Sequence, residues 1–287
     1  MLSIAHSPDA DDLFMYYAIV FGWVESELGQ RFENIALDIQ SLNQKALLGE
    51  FDISAISFGV YPLIRQDYVL LRTGLSFGNG YGPKLIKKKG ARLKRNFKVA
   101  LSGKHTSNAL LFSLAYPDAR IVYKNFLEIE GAVLGGEVDA GVLIHESILC
   151  YDSALEVERE LWDIWRDLAK EDLPLPLGGM VLRRSLPLNL AIDIEKTLTK
   201  AVRVALSGKE ILSAMLLERN LIRVDEKKLD AYLNLYANHD SIELSDLQKK
   251  GVEKMFALGY EAGFYDVWIK DCEDYLIPRE YEMLRHS

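Results

Sequence analysis

Cysteine is nearly absent: the chain of 287 residues has two, Cys150 and Cys272. Far apart and without a second pair, they build neither a disulfide framework nor a metal-ligand spacing, and they read as reduced, buried thiols. Long apolar runs are missing too. No stretch reaches the ~18 apolar residues that a membrane helix needs, so no membrane partner is expected. Positive charge is in deficit, with 34 Lys and Arg against 42 Asp and Glu and a net charge of −8. That balance leaves no electrostatic footprint for nucleic acid. The strongly basic run KLIKKKGARLKR (84–95) fits a solvated ribbon between two lobes better than a phosphate site. Met1 leads straight into LSIA and then into acid groups, without the basic region, apolar stretch and cleavage site of a leader, and a cytoplasmic location is expected. Nucleophile elbows and phosphate loops are lacking, which leaves no sign of covalent or nucleotide-dependent chemistry.

What is present describes a globular protein: 49% apolar and 26% charged residues, in a length that suits two α/β lobes, each burying its own interior. The chain repeats itself. ALLGEFDISAISFG (46–59) lies on VLGGEVDAGVLIHE (133–146), each a helix end, a glycine (Gly49 or Gly136), Glu-X-Asp and an apolar strand. Upstream, LSIAHS (2–7) matches KVALSG (98–103), a short strand entering a polar loop and then a helix. Strands alternating with helices imply parallel sheets covered on both faces. The expected architecture is α/β and two-lobed, with residues 1–90 and 183–287 in the first lobe, 91–182 in the second and a cleft between them. The C-terminal helices are expected to pack back on the first lobe. ELWDIWRDLAK (160–170), with Trp162 and Trp165, fits either a core or an interface between copies, so the oligomeric state stays open.

Ligands of open α/β sheets bind beyond the carboxyl ends of the strands. Four loops therefore matter: 6–12, 57–61, 102–108 and 144–147. In SGKHTSNALL (102–111), Thr106 or Ser107 is a suitable N-cap, and the amides of Ser107 and Asn108 then offer a helix N-terminus to a ligand carboxylate or phosphate. VLIHESIL (142–149) sets His145 at the end of a buried strand on a cleft loop. Histidine takes a proton near neutral pH without prior perturbation, which makes His145 the candidate base. GNGYGP (78–83) reads as a flexible strand near the hinge with Tyr81 toward the cleft. In the first loop, Ser7 reads as a cap, Pro8 as the first helical turn, and Asp9, Asp11 and Asp12 as acids balancing the helix dipole. With His6 they lack the spacing of a known ligand loop, and no metal is expected.

The stretches HSPDADDLFMYYA, LNQKALLGEFDISAISFGVY (42–61), GNGYGP, SGKHTSNALL, GEVDAGVLIHESIL (136–149) and LPLPLGGMVLRR (173–184) carry a resemblance over nearly the whole chain. It resembles the 1,4-dihydroxy-6-naphthoate synthases of the futalosine route to menaquinone. The resemblance implies a type II periplasmic-binding-protein-like fold used as a cofactor-free carbon-carbon lyase. The implied substrate is a small molecule, cyclic dehypoxanthine futalosine, with His145 as general base. Asp12, Asn43, Ser57, Thr106, Ser107 and Asn108 are implied to line the substrate pocket. One departure stands out. Many members carry Cys-Pro-Asn-Asp after the first Ser-Pro, whereas Asp9, Ala10, Asp11 and Asp12 stand here, keeping only the last. The alternatives are a sister enzyme of the chorismate dehydratase kind, which would carry an acidic motif in place of the histidine of LIHE, and a binding protein without catalysis.

Overall fold

The computed structural model describes residues 1–278. Eleven described strands form two sheets. The first contains β1 (Leu2–His6), β2 (Phe32–Ala36), β3 (Ile53–Ser57), β4 (Tyr68–Leu70) and β5 (Ser76–Gly78); the second contains β6 (Lys84–Lys88), β7 (Lys98–Leu101), β8 (Arg120–Tyr123), β9 (Ala140–Leu143) and β10 (Leu155–Glu160). The chain then returns to the first sheet in β11 (Leu175–Arg183). Strand orders are β2-β1-β3-β11-β4, with β5 beside β11, and β10-β6-β9-β7-β8.

The repeat is visible as structure. In each sheet a parallel trio, β2-β1-β3 or β8-β7-β9, sets the strand ends side by side. Gly49 and Gly136 both have left-handed backbones, with φ of +66° and +75°, where a glycine ends the helix without steric penalty. The sheets are mixed rather than parallel, because β6 and β11 run antiparallel to their neighbours.

Those two strands also displace the expected boundaries. Lys84–Lys88 is a strand of the second sheet, not a linker, and Leu175–Arg183 belongs to the first. In KLIKK the inner Leu85 and Ile86 are buried, while Lys87 pairs with Glu156 and Glu158 of β10. The chain passes between the sheets through 79–83 and 170–174.

Among the described helices, α1 (Ala10–Val20), α2 (Ile39–Leu47) and the short α3 (Tyr61–Ile64) belong with the first sheet. With the second go α4 (Ser107–Ala115), α5 (Ile129–Leu134) and α6 (Leu161–Ala169). The C-terminal α7 (Leu188–Ser207), α8 (Lys209–Glu218) and α9 (Glu226–Tyr236) pack on α1, and α10 (Asp246–Glu261) packs on β11 and reaches α6. Trp162 and Trp165 are core: both are buried, and Trp165 Nε1 donates to Leu173 O at 2.8 Å. Cys272 is buried as expected, but Cys150 is exposed, two residues beyond the 3-10 turn His145–Ile148 rather than in a strand. No described helix is long and apolar enough to cross a membrane.

Candidate active site

The carboxyl ends of β1, β3, β7 and β9 converge on one cavity, with about 740 Å³ of space free of protein atoms, solvent at its mouth included. Its lining draws on all four expected loops: Asp9, Asp11 and Asp12; Ser57; Ser102 and Thr106 to Asn108; Ile144 and His145.

His145 opens a 3-10 turn, His145–Ile148, directly after β9. Its φ is +54°, a left-handed backbone that histidine adopts more readily than most residues, at a cost on the order of 1 kcal/mol. Two contacts fix the ring. His145 Nδ1 lies 2.6 Å from Asp9 Oδ2, and Phe126 meets the ring edge-on at 4.9 Å between centroids. Nε2 is buried and has no hydrogen-bond partner. One ring nitrogen is thus held by the protein, and the other has no protein partner.

The first loop departs from the expectation of simple capping. Helix α1 starts at Ala10 with Asp9 at the N-cap, yet the Asp9 side chain makes no cap bond. It accepts from Ser7 Oγ and faces His145 instead. Glu146, on the opposite sheet's loop, takes over the capping: its Oε1 accepts the Ala10 N–H at 2.9 Å. Asp12 Oδ2 accepts the Ser7 N–H at 2.7 Å, and Tyr232 of α9 donates to Asp11 Oδ1 at 3.2 Å. His6 is a core histidine, bonded to Ser7 O and Asn34 Oδ1, and burial lowers its pKa.

These groups share one poorly solvated space, and their charges sort accordingly. Burial works against an imidazolium at His145, but Asp9, Asp11 and Glu146 outweigh it and raise its pKa to about 9. Burial pushes the Asp9 carboxyl up, and the charge and hydrogen bond of His145 more than reverse that. Burial and the neighbouring Asp12 and Asp9 push Asp11 well above the carboxylate range. For Asp12, burial and then Asp9 raise the pKa to about 7 against the Ser7 hydrogen bond. The state these shifts favour is an Asp9 carboxylate with a His145 imidazolium, beside a protonated Asp11.

Asp9, Asp11 and His145 also bring ligand atoms within 4.8 Å of one another, close enough to hold a cation. Asp9 and His145 already satisfy each other, and Asp11 accepts from Tyr232. Donors so engaged favour a proton-sharing cluster over a metal centre.

Of the other expected residues, Ser57, Thr106, Ser107 and Asn108 line the cavity. Thr106 is the N-cap of α4, accepting from Ala109 N at 3.1 Å. Ser107 Oγ is committed elsewhere, accepting from Gly59 N at 3.1 Å and donating to Leu177 O at 2.7 Å. Asn108 Oδ1 has no partner. Asn43 is displaced from the expected lining. It is fully buried behind Ser57, accepting the Ser57 N–H at 2.9 Å and donating to Ser57 Oγ and His105 O, so it shapes the wall without facing the cavity. Tyr81 turns away from the cleft, bonding Leu235 O and packing on Tyr236 at 5.3 Å. Among the lining residues missed in sequence are Tyr232, Tyr236 and the Gly178-Gly179 pair of β11. The spacing of the two tyrosines on one face of α9 signals burial but not which cavity that face meets.

The sequence profile described as menaquinone biosynthesis matches residues 2–261. The chain belongs to the menaquinone-biosynthesis family. Within it, a 1,4-dihydroxy-6-naphthoate synthase of Thermus thermophilus is 30% identical over 258 residues, covering 89% of this chain and 93% of that protein. A synthase of the same name from Streptomyces coelicolor is 29% identical over 252 residues, 85% and 88% of the two chains. Among solved structures, a protein of Archaeoglobus fulgidus shares 31% identity at a TM-score of 0.83, over 92% of this chain and 98% of that one. The alkanesulfonate-binding protein of Xanthomonas axonopodis pv. citri, bound to MOPS, reaches a TM-score of 0.68 at 12% identity, over 96% and 97%. That likeness shows the fold alone: this member of the menaquinone-biosynthesis family is built as a two-lobed, periplasmic-binding-protein-like molecule.

Proposed function

We propose that the protein is a 1,4-dihydroxy-6-naphthoate synthase, a cofactor-independent lyase that splits cyclic dehypoxanthine futalosine, with His145 as general base. The observation that carries the reading is the state of His145, a residue of the cavity lining: Nδ1 is held by Asp9, and Nε2 is buried and unpartnered. The two named synthases support it at about 30% identity along most of the chain. Breaking a carbon-carbon bond to leave an aromatic naphthoate calls for loss of a proton from an activated carbon, and aromatisation supplies driving force. One placed base in a closed cavity serves that chemistry. The amides of Ser107 and Asn108 at the start of α4, together with Asn108, are the proposed seat for the substrate carboxylate. Asp12 and Ser57 face its hydroxyls. We take the setting to be the cytoplasm and the partner to be this small molecule.

A base must be neutral to act. With the His145 pKa raised to about 9, kcat/KM is expected to climb with pH through neutrality and level off above about 9. The test is to mix protein and cyclic dehypoxanthine futalosine without added metal or nucleotide and follow the naphthoate. His145→Asn keeps the left-handed backbone, which asparagine tolerates, and is expected to lose between about 100-fold and 10,000-fold in kcat while still binding substrate. Full activity in the variant removes His145 from the reaction. Absence of turnover in the wild type moves the protein to a sister enzyme or a binding role.

A further inference from the structure

We propose that Asp9 is the positioning residue of His145, and that the pair is assembled from opposite lobes, so that the base is oriented only in the closed molecule. The inference rests on His145 being the base and extends it to what holds the ring.

The two residues come from different sheets. Asp9 follows β1 in the first, and His145 follows β9 in the second. Their 2.6 Å contact spans the cleft, and so does the neighbouring bond from Ala10 N to Glu146. Asp9 is committed to this task at a visible expense, since it sits at the N-cap of α1 and caps nothing there. Its other oxygen is fixed by Ser7 Oγ, so the carboxylate cannot turn freely. A carboxylate held in that way at Nδ1 selects one ring orientation and directs Nε2 to the ligand side.

The charged and titratable groups around the ring come from three elements and one connection. The α1 start brings Asp9, Asp11 and Asp12; the turn after β9 brings Glu146; α9 brings Tyr232. Arg223, between α8 and α9, acts on Asp9 and lies 5.4 Å from the Phe126 ring that packs on His145. Asp9 is the one in this set that touches the His145 ring nitrogen. Its removal should alter both the orientation of the ring and the pH at which it loses its proton.

Asp9→Asn tests this through two independent readouts. In the kcat/KM–pH profile, the acid limb should move to lower pH by at least one unit, because the anion favouring the charged ring is gone, while kcat on the plateau falls at least tenfold and KM changes little. In the second, His145 is titrated by imidazole nitrogen NMR in ligand-free protein, where its midpoint should fall in the variant and remain near the wild-type value in Asp9→Glu. A merely structural role for Asp9 would reduce the amount of active protein and leave both midpoints in place, which would overturn the proposal. Because the NMR titration needs no turnover, it decides on Asp9 even if wild-type protein fails to make naphthoate, an outcome that would instead remove the proposed function.

Discussion

At the scale of single residues, the first loop holds more negative charge than one helix start needs, and its members do different things. Asp9 stays ionised against His145, whereas Asp11 and Asp12 are pushed toward their protonated forms. Asp12 ties this to stability. Its folded pKa of about 7 lies above the ordinary carboxylate value, so the folded state holds a proton that the unfolded chain releases. Stability from this group is full below the unfolded pKa near ~4 and is lost as pH rises through 7. Asp12→Asn should therefore raise Tm at pH 8 by a few degrees, with the gain fading by pH 4, as differential scanning calorimetry would report. A gain of equal size at both pH values would mean that charge is not its origin. His145, raised to about 9, works in the same sense over a higher window: its pairing stabilises below about 6.5 and is lost as pH climbs through 9.

At the scale of elements, the 3-10 turn Phe58–Val60 and the start of α4 approach so closely that a side chain at Gly59 would force the backbone of α4 to give way by a few tenths of an ångström. A Cβ on Gly59 would lie 3.0 Å from the Ser107 backbone N and Cα, and the Gly59 N–H itself donates to Ser107 Oγ. Gly59→Ala is a wedge in this interlobe seam. It should lower kcat/KM at least tenfold and move the acid limb the same way as Asp9→Asn, since both take a carboxylate away from the His145 ring; a steady-state pH profile checks it, and an unmoved limb would disconnect the seam from the base. The sequence exposed the elements that make this seam because strand-loop-helix units repeat in it, and Thr106, Ser107 and His145 stood at their strand ends. It hid β6, whose flanking lysines read as a charge run although Leu85 and Ile86 are buried. It also hid the Asp9–His145 and Ala10–Glu146 contacts. Residues 136 apart in the chain leave no local pattern to read, so Asp9 looked like one more dipole acid, and Asn43 looked like a ligand contact when it braces Ser57.

At the scale of the whole molecule, the cavity exists because two sheets face each other and the C-terminal helices close one side, with α9 supplying Tyr232 and Tyr236 to the lining. A ligand there touches both lobes and is expected to hold them together. Saturating 1,4-dihydroxy-6-naphthoate should raise Tm in wild type and in His145→Asn alike, by the equivalent of about 2.7 kcal/mol at a hundredfold excess over Kd. No shift in either protein, followed by dye-based thermal melting, would show that the cavity is not the binding site for that compound.

Cys150 gives a practical handle on that closure. It is exposed just beyond the turn that carries His145, Lys228 of α9 interacts with its thiol, and Cys272, the other cysteine, is buried. A thiol-reactive fluorophore added to the native protein should therefore attach at a single point where the turn after β9 meets a helix of the first lobe. The natural chain already carries an addressable optical reporter at the rim of its own cleft.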